Sequence, residues 1–114
     1  MSLITAEQRA LMLANGQRSA ADPAHDPHPV VKLFTPDAGC TWLLAELDPE
    51  EPDIAFGLCD LGQGFPELGS VRLSEIESVR GGLGLRVERD LGFTGRKPLS
   101  VYAEAARKAR RIVA

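Results

Sequence analysis

Residues 41–61 read TWLLAELDPEEPDIAFGLCDL. Two apolar runs, residues 41–47 and 54–61, flank a loop with two prolines and four acids. That pattern predicts a long β-hairpin. If the loop closes symmetrically, Leu47 stands opposite Ile54, Ala45 opposite Phe56, Leu43 opposite Leu58 and Thr41 opposite Asp60. This face is almost wholly apolar and predicts the main core. The other face sets Trp42, Leu44 and Glu46 against Ala55, Gly57 and Cys59. It too is partly apolar, so the sheet calls for cover on both sides. In this register Glu46 and Asp60 face opposite ways; a slip of one residue would exchange the faces.

The flanking segments supply the cover. On the N-terminal side, Thr5-Ala-Glu-Gln fits a capping box, with Glu7 at the positive end of the dipole. The helix it starts presents Ala6, Ala10, Leu13 and Ala14 on one face and stops at Asn15-Gly16. Residues 17–29 form a polar connector with both histidines, His25 and His28. Residues 30–34 (VVKLF) predict a strand, and residues 35–39 (TPDAG) a turn.

Beyond the hairpin, glycines 62, 64 and 69 punctuate a loop that matches no phosphate-cradling motif. Residues 67–73 predict a returning strand. Ser74-Glu-Ile-Glu reads as a second capping box, opening a short helix that ends at Gly81-Gly82. Residues 83–91 (LGLRVERDL) alternate cleanly, with Leu85, Val87 and Arg89 on one side. Residues 99–113 predict the last helix, buried along Leu99, Tyr102, Ala106, Ala109 and Val113. The fold class is therefore α+β: an antiparallel β-meander of about five strands, with N-terminal and C-terminal helices and a short middle helix.

A length of 114 residues predicts one domain, residues 1–114. No apolar run approaches the roughly 20 residues that span a bilayer, and no export signal opens the chain. The expected setting is cytoplasmic, with Cys40 and Cys59 as reduced, buried thiols. The net charge of −3 is unevenly spread. Residues 33–71 hold eight acids and no Lys or Arg, whereas residues 72–114 hold ten bases and five acids. Either the two parts attract within the fold, or the molecule has an acidic and a basic face suited to a charged partner.

Five ordered motifs carry a resemblance: Val31-Lys-Leu-Phe, Thr41-Trp-Leu-Leu-Ala-Glu-Leu-Asp-Pro, Phe56-Gly-Leu-Cys-Asp-Leu-Gly, Pro66-Glu-Leu-Gly and Leu85-Arg-Val-Glu-Arg-Asp. Together they resemble the DUF2958 family, from Ile4 to about Arg107. The resemblance implies a small bacterial protein of accessory type, often encoded on plasmids and other mobile elements. It transfers no catalytic or binding residue.

Candidate chemistry is sparse. Asp60 and Glu67 converge across the glycine loop as a carboxylate pair, of the kind that binds a divalent cation in a small hydrolase. Trp42, Gly57 and Cys59 outline a shallow pocket on the second hairpin face. Arg96, Lys97, Arg107, Lys108, Arg110 and Arg111 form an electrostatic footprint for nucleic acid, although cations at a helix C-terminus also complement its dipole. The histidine loop reads as an exposed polar segment rather than a metal site, because nothing rigid holds its ligands. No cofactor is expected. The leading expectation is a non-enzymatic protein-interaction module with an unknown protein partner, docking through the acidic hairpin loop or the second sheet face. The alternatives are a nucleic-acid-associated accessory protein and, third, the metal-dependent hydrolase. A homodimer fits the two-faced hairpin, and no membrane association is expected.

Overall fold

The computed structural model describes residues 2–114. Its elements run α1 (Ala6–Ala21), β1 (Val31–Phe34), β2 (Thr41–Leu47), β3 (Ile54–Asp60), β4 (Glu67–Arg72), α2 (Leu73–Ser78), β5 (Glu88–Arg89) and α3 (Leu99–Ala109). The strands form one sheet in the order β4-β3-β2-β1-β5, and every pairing is antiparallel. The chain is α+β, as its patterning predicts. No helix among the described residues is long and apolar enough to cross a membrane.

Both faces of the β2–β3 hairpin are covered. On one face Trp42, Leu44, Leu47 and Ala55 join Met12 of α1, Ile76 of α2 and Val31 and Leu33 of β1. On the other, Leu43, Ala45 and Leu58 pack with Leu99, Ala103 and Ala106 of α3 and with Ile112. Each fully buried leucine here contributes about 1.5–3 kcal/mol.

The register departs from symmetry at one point. Thr41 pairs with Asp60 and Leu43 with Leu58 as expected, but Leu44 pairs with Gly57 and Glu46 with Phe56. Ala45 is an extra residue, a β-bulge. Past it Leu47 lies opposite Ala55, not Ile54. The bulge also turns Glu46 onto the face of Phe56 and Asp60, which corrects the expected opposition of the two acids. They still lie about 13 Å apart along the strand. Two residues accommodate the bulge. The Asn15 side-chain amide donates to the Ala45 carbonyl at 2.9 Å. At Gly57 a Cβ would lie 2.1 Å from the Leu43 oxygen, so the backbone of β2 leans in where a side chain would stand.

Thr5 caps α1 with both bonds of the expected box, but Gly16 does not end it. The helix runs on to Ala21, and Gly16 is buried in its middle. A Cβ there would lie 1.9 Å from the Leu47 carbonyl oxygen. The glycine lets α1 approach the sheet, and this approach turns Met12 inward while Ala6, Ala10 and Ala14 stay exposed. Of the expected face, Leu13 alone is half-buried.

The two later helices begin alike. Leu73 N–H donates to the Asp53 carbonyl, and the Asp53 carboxylate accepts from the N–H and hydroxyl of Ser74. Leu99 N–H donates to the Pro27 carbonyl, and the Asp26 carboxylate accepts from the N–H and hydroxyl of Ser100. Ser74 is thus not the cap of a local box. It lies inside α2, which a distant aspartate caps. The last helix ends at Ala109, where Arg110 turns left-handed with φ 60°. That turn buries Ile112, while Ala109 and Val113 remain exposed. The strand predicted over residues 83–91 is confined to Glu88–Arg89, paired with β1. A turn through Gly84, at φ +79°, bends the chain first, so Val87 is buried but Leu85 is not.

Candidate functional site

The expected carboxylate pair is not brought together. Asp60 is 4% exposed. Its carboxylate accepts the Gly62 N–H at 2.8 Å and the Ile112 N–H at 2.9 Å. Those bonds fix the loop after β3 and the chain beyond α3. Glu67 pairs with Cys59, one residue from Asp60, so strand alternation sends Glu67 and Asp60 to opposite faces. Among the described residues no group of three or more His, Cys, Asp or Glu side chains is placed to hold a metal ion.

At the expected pocket, Trp42 is 3% exposed and shares a core cluster with Leu3, Ile4 and Met12. That leaves no floor open to solvent at Trp42. Gly57 serves the bulge. Burial pushes the Cys59 thiol up to about 11, so it stays protonated and unreactive at neutral pH. Both cysteines are free thiols.

The basic residues are all exposed, but they form two groups. Arg96 and Lys97 precede α3. Arg107 and Lys108 lie in its last turn, with Arg110 and Arg111 just beyond, about 15 Å away at the rise of a helix. Lys108 pairs with Glu104 at 3.5 Å, an exposed contact of little energetic weight.

The acidic hairpin loop is largely committed to structure. Asp48 accepts the N–H groups of Glu50 and Glu51. Arg72 meets Glu51 at 2.8 Å and Asp53 at 3.7 Å. The histidine connector is tied down as well: His28 Nδ1 lies 3.0 Å from the Gly95 carbonyl oxygen, and Asp26 caps α3.

A surface rich in exposed apolar side chains lies at one end of the sheet. There the 61–66 loop touches the β1–β2 turn, with Gly62 against Gly39. That turn holds the 81–85 segment through the Asp37 carboxylate, which accepts the Leu83 N–H at 2.6 Å. Along this end Leu61 is 58% exposed, Phe65 73% and Leu83 82%, and Leu85 and Leu68 are also exposed. Strand β4 borders it and, among the described residues, pairs with β3 alone, so one side of its backbone has no strand partner. Periodicity missed Leu61, Phe65, Leu83 and Leu85 because they stand in loops, whereas Leu68 lies within β4. A usable signal was present: Gly64-Phe65-Pro66 and Gly82-Leu83-Gly84 place a lone large apolar residue between turn formers, where no helix or strand can turn it inward.

The family model described as "Protein of unknown function (DUF2958)" matches residues 3–113. No curated protein and no solved structure matches the chain.

Proposed function

The chain belongs to the DUF2958 family, and on that premise we propose that it is a non-enzymatic protein-interaction module. Its partner is a protein that lays an extended segment along β4 and packs apolar side chains on Phe65, Leu61 and Leu68. One observation carries this reading: an open six-residue strand edge is continuous with exposed apolar side chains. Natural sheets protect such edges with lysine, proline or a bulge, and β4 (ELGSVR) has none of these in its middle. Edge addition draws affinity from main-chain hydrogen bonds and specificity from alternate side chains. The commitments of Asp60, Cys59 and Asp53 to structure favour binding over chemistry. The family resemblance supports a bacterial accessory role on mobile DNA.

The test is affinity capture from the lysate of the source cell, with nuclease, comparing the wild-type chain with Phe65→Asp and Leu68→Asp. A partner retained by the wild type and lost by both exposed-site variants supports the reading. A partner retained by both variants refutes it. Capture that vanishes with nuclease moves the assignment to nucleic acid and to Arg107–Arg111. Light scattering on the pure protein identifies the case in which the added strand comes from a second copy.

A further inference from the structure

We propose that a second site, independent of the β4 edge, binds a small organic oxyanion: one phosphate or carboxylate group carried on an apolar body. The site is a cavity of about 600 Å³ between the C-terminal end of α2, residues 2–3 and β5. Arg80, Arg86 and Arg89 line it, together with Leu3, Val87 and Leu91.

Three observations point to an anion. First, Arg80 and Arg86 form an antiparallel bridge, which sets two cations directly opposite one another. Like charges in that position destabilise a pair unless something neutralises them. Second, none of the three arginines forms an ion pair among the described residues, although Glu77 and Glu88 line the same cavity. Third, two of the guanidinium groups are held in place by neutral acceptors. Arg80 Nη1 donates to the carbonyls of Glu77 and Val79, both at 2.8 Å. Arg89 Nη1 donates to the Leu3 carbonyl at 3.0 Å. Each group is oriented yet keeps its charge and its remaining N–H donors. A planar donor fork fixed in this way suits bidentate recognition of a phosphate or carboxylate.

The rest of the wall limits the ligand. Glu77 and Glu88 repel a polyanion, so one oxyanion group fits and a polyphosphate does not. Leu3 and Val87 are buried and Leu91 is 85% exposed, which gives an apolar wall and lip for the remainder of the molecule. The volume lies within the range of small-molecule sites.

The experiment is titration calorimetry of the full chain with three probes: phenyl phosphate, benzoate and inorganic phosphate. Saturable one-to-one binding of phenyl phosphate or benzoate is expected, and the tighter of the two identifies the oxyanion. Arg86→Gln removes a side chain that makes no hydrogen bond among the described residues, so the variant keeps its fold, as circular dichroism will check. It should weaken binding by about tenfold or more, while Arg107→Gln leaves binding unchanged. Absence of saturable binding in the millimolar range overturns the site. So does equal binding by Arg86→Gln, or an equal loss in Arg107→Gln. Inorganic phosphate binding as tightly as phenyl phosphate overturns the role given to Leu3, Val87 and Leu91.

Discussion

The Asp26 carboxylate holds Ser100, 74 residues further along the chain, by accepting both its N–H and its hydroxyl. Asp53 does the same for Ser74 across 21 residues. Each aspartate satisfies orphan donors at a helix start and places a negative charge at the positive end of the dipole. Asp26→Ala should therefore destabilise the protein by about 1–2 kcal/mol, read as a lower midpoint of urea unfolding. Ser100→Ala, which keeps the N–H bond, should cost less. Equal stability of Asp26→Ala and the wild type would contradict this role.

At Asp53 the Ser74 hydroxyl is the main influence holding the carboxyl below its ordinary range, with further help from the Ser74 N–H and Arg72. A group whose folded value is depressed stabilises above its unfolded value and loses that contribution as pH falls through the folded one. The helical signal of the protein should thus weaken below about pH 4. Asp53→Asn should flatten that part of the acid titration, read by circular dichroism; an unchanged profile would contradict the assignment.

The buried Asp60 carboxylate ties Ile112 and Gly62 into the sheet. Asp60→Ala leaves the buried Ile112 N–H without its partner and should cost about 1–3 kcal/mol. Asp60→Asn retains one acceptor and should cost less. For a solvated catalytic acid, stability would be unaffected by either change.

Cys59 titrates in the opposite sense to Asp53. The fold favours its neutral thiol, with a folded value of about 11 against an ordinary 9.0. As pH rises from about 9 to 11, the unfolded chain loses a proton that the folded chain keeps, so stability falls across that window. Cys59→Ala should remove this part of the alkaline decline in thermal midpoint. In a Cys40→Ser background, Cys59 should also react with a thiol reagent at pH 8 far more slowly when folded than when denatured.

Gly16 separates local preference from tertiary demand. Alanine there gains up to about 1 kcal/mol of helix propensity. Its Cβ would strike the Leu47 carbonyl, 1.9 Å away, and the resulting displacement should cost about 1–3 kcal/mol. Net destabilisation of Gly16→Ala in urea is the expected result; a stabilised variant would mean that α1 is not packed this closely.

What the sequence determined by itself was local. Two apolar runs, residues 41–47 and 54–61, around a loop of prolines and acids specified two strands, the Thr5 box specified where α1 begins, and apolar residues on both hairpin faces specified cover on both sides. These follow from backbone periodicity and near-neighbour hydrogen bonds, which a chain carries wherever it folds. The tertiary structure decided the rest. Gly16 reads as a stop until a strand carbonyl is found where its side chain would be. Ser74 reads as a cap until Asp53 is seen to cap the helix instead. The bulge at Ala45 follows from the close approach of two strands at Gly57 and the pull of Asn15 on a carbonyl. Asp60 looks available for chemistry until Ile112, 52 residues further along the chain, is found donating its N–H to the carboxylate. The arginine cavity stayed illegible for the same reason: Arg80, Arg86 and Arg89 meet residues 2–3 only when β5 returns to the far edge of the sheet. Spacing along the chain encodes direction and period, whereas a site is made by contacts between distant segments, which packing alone sets.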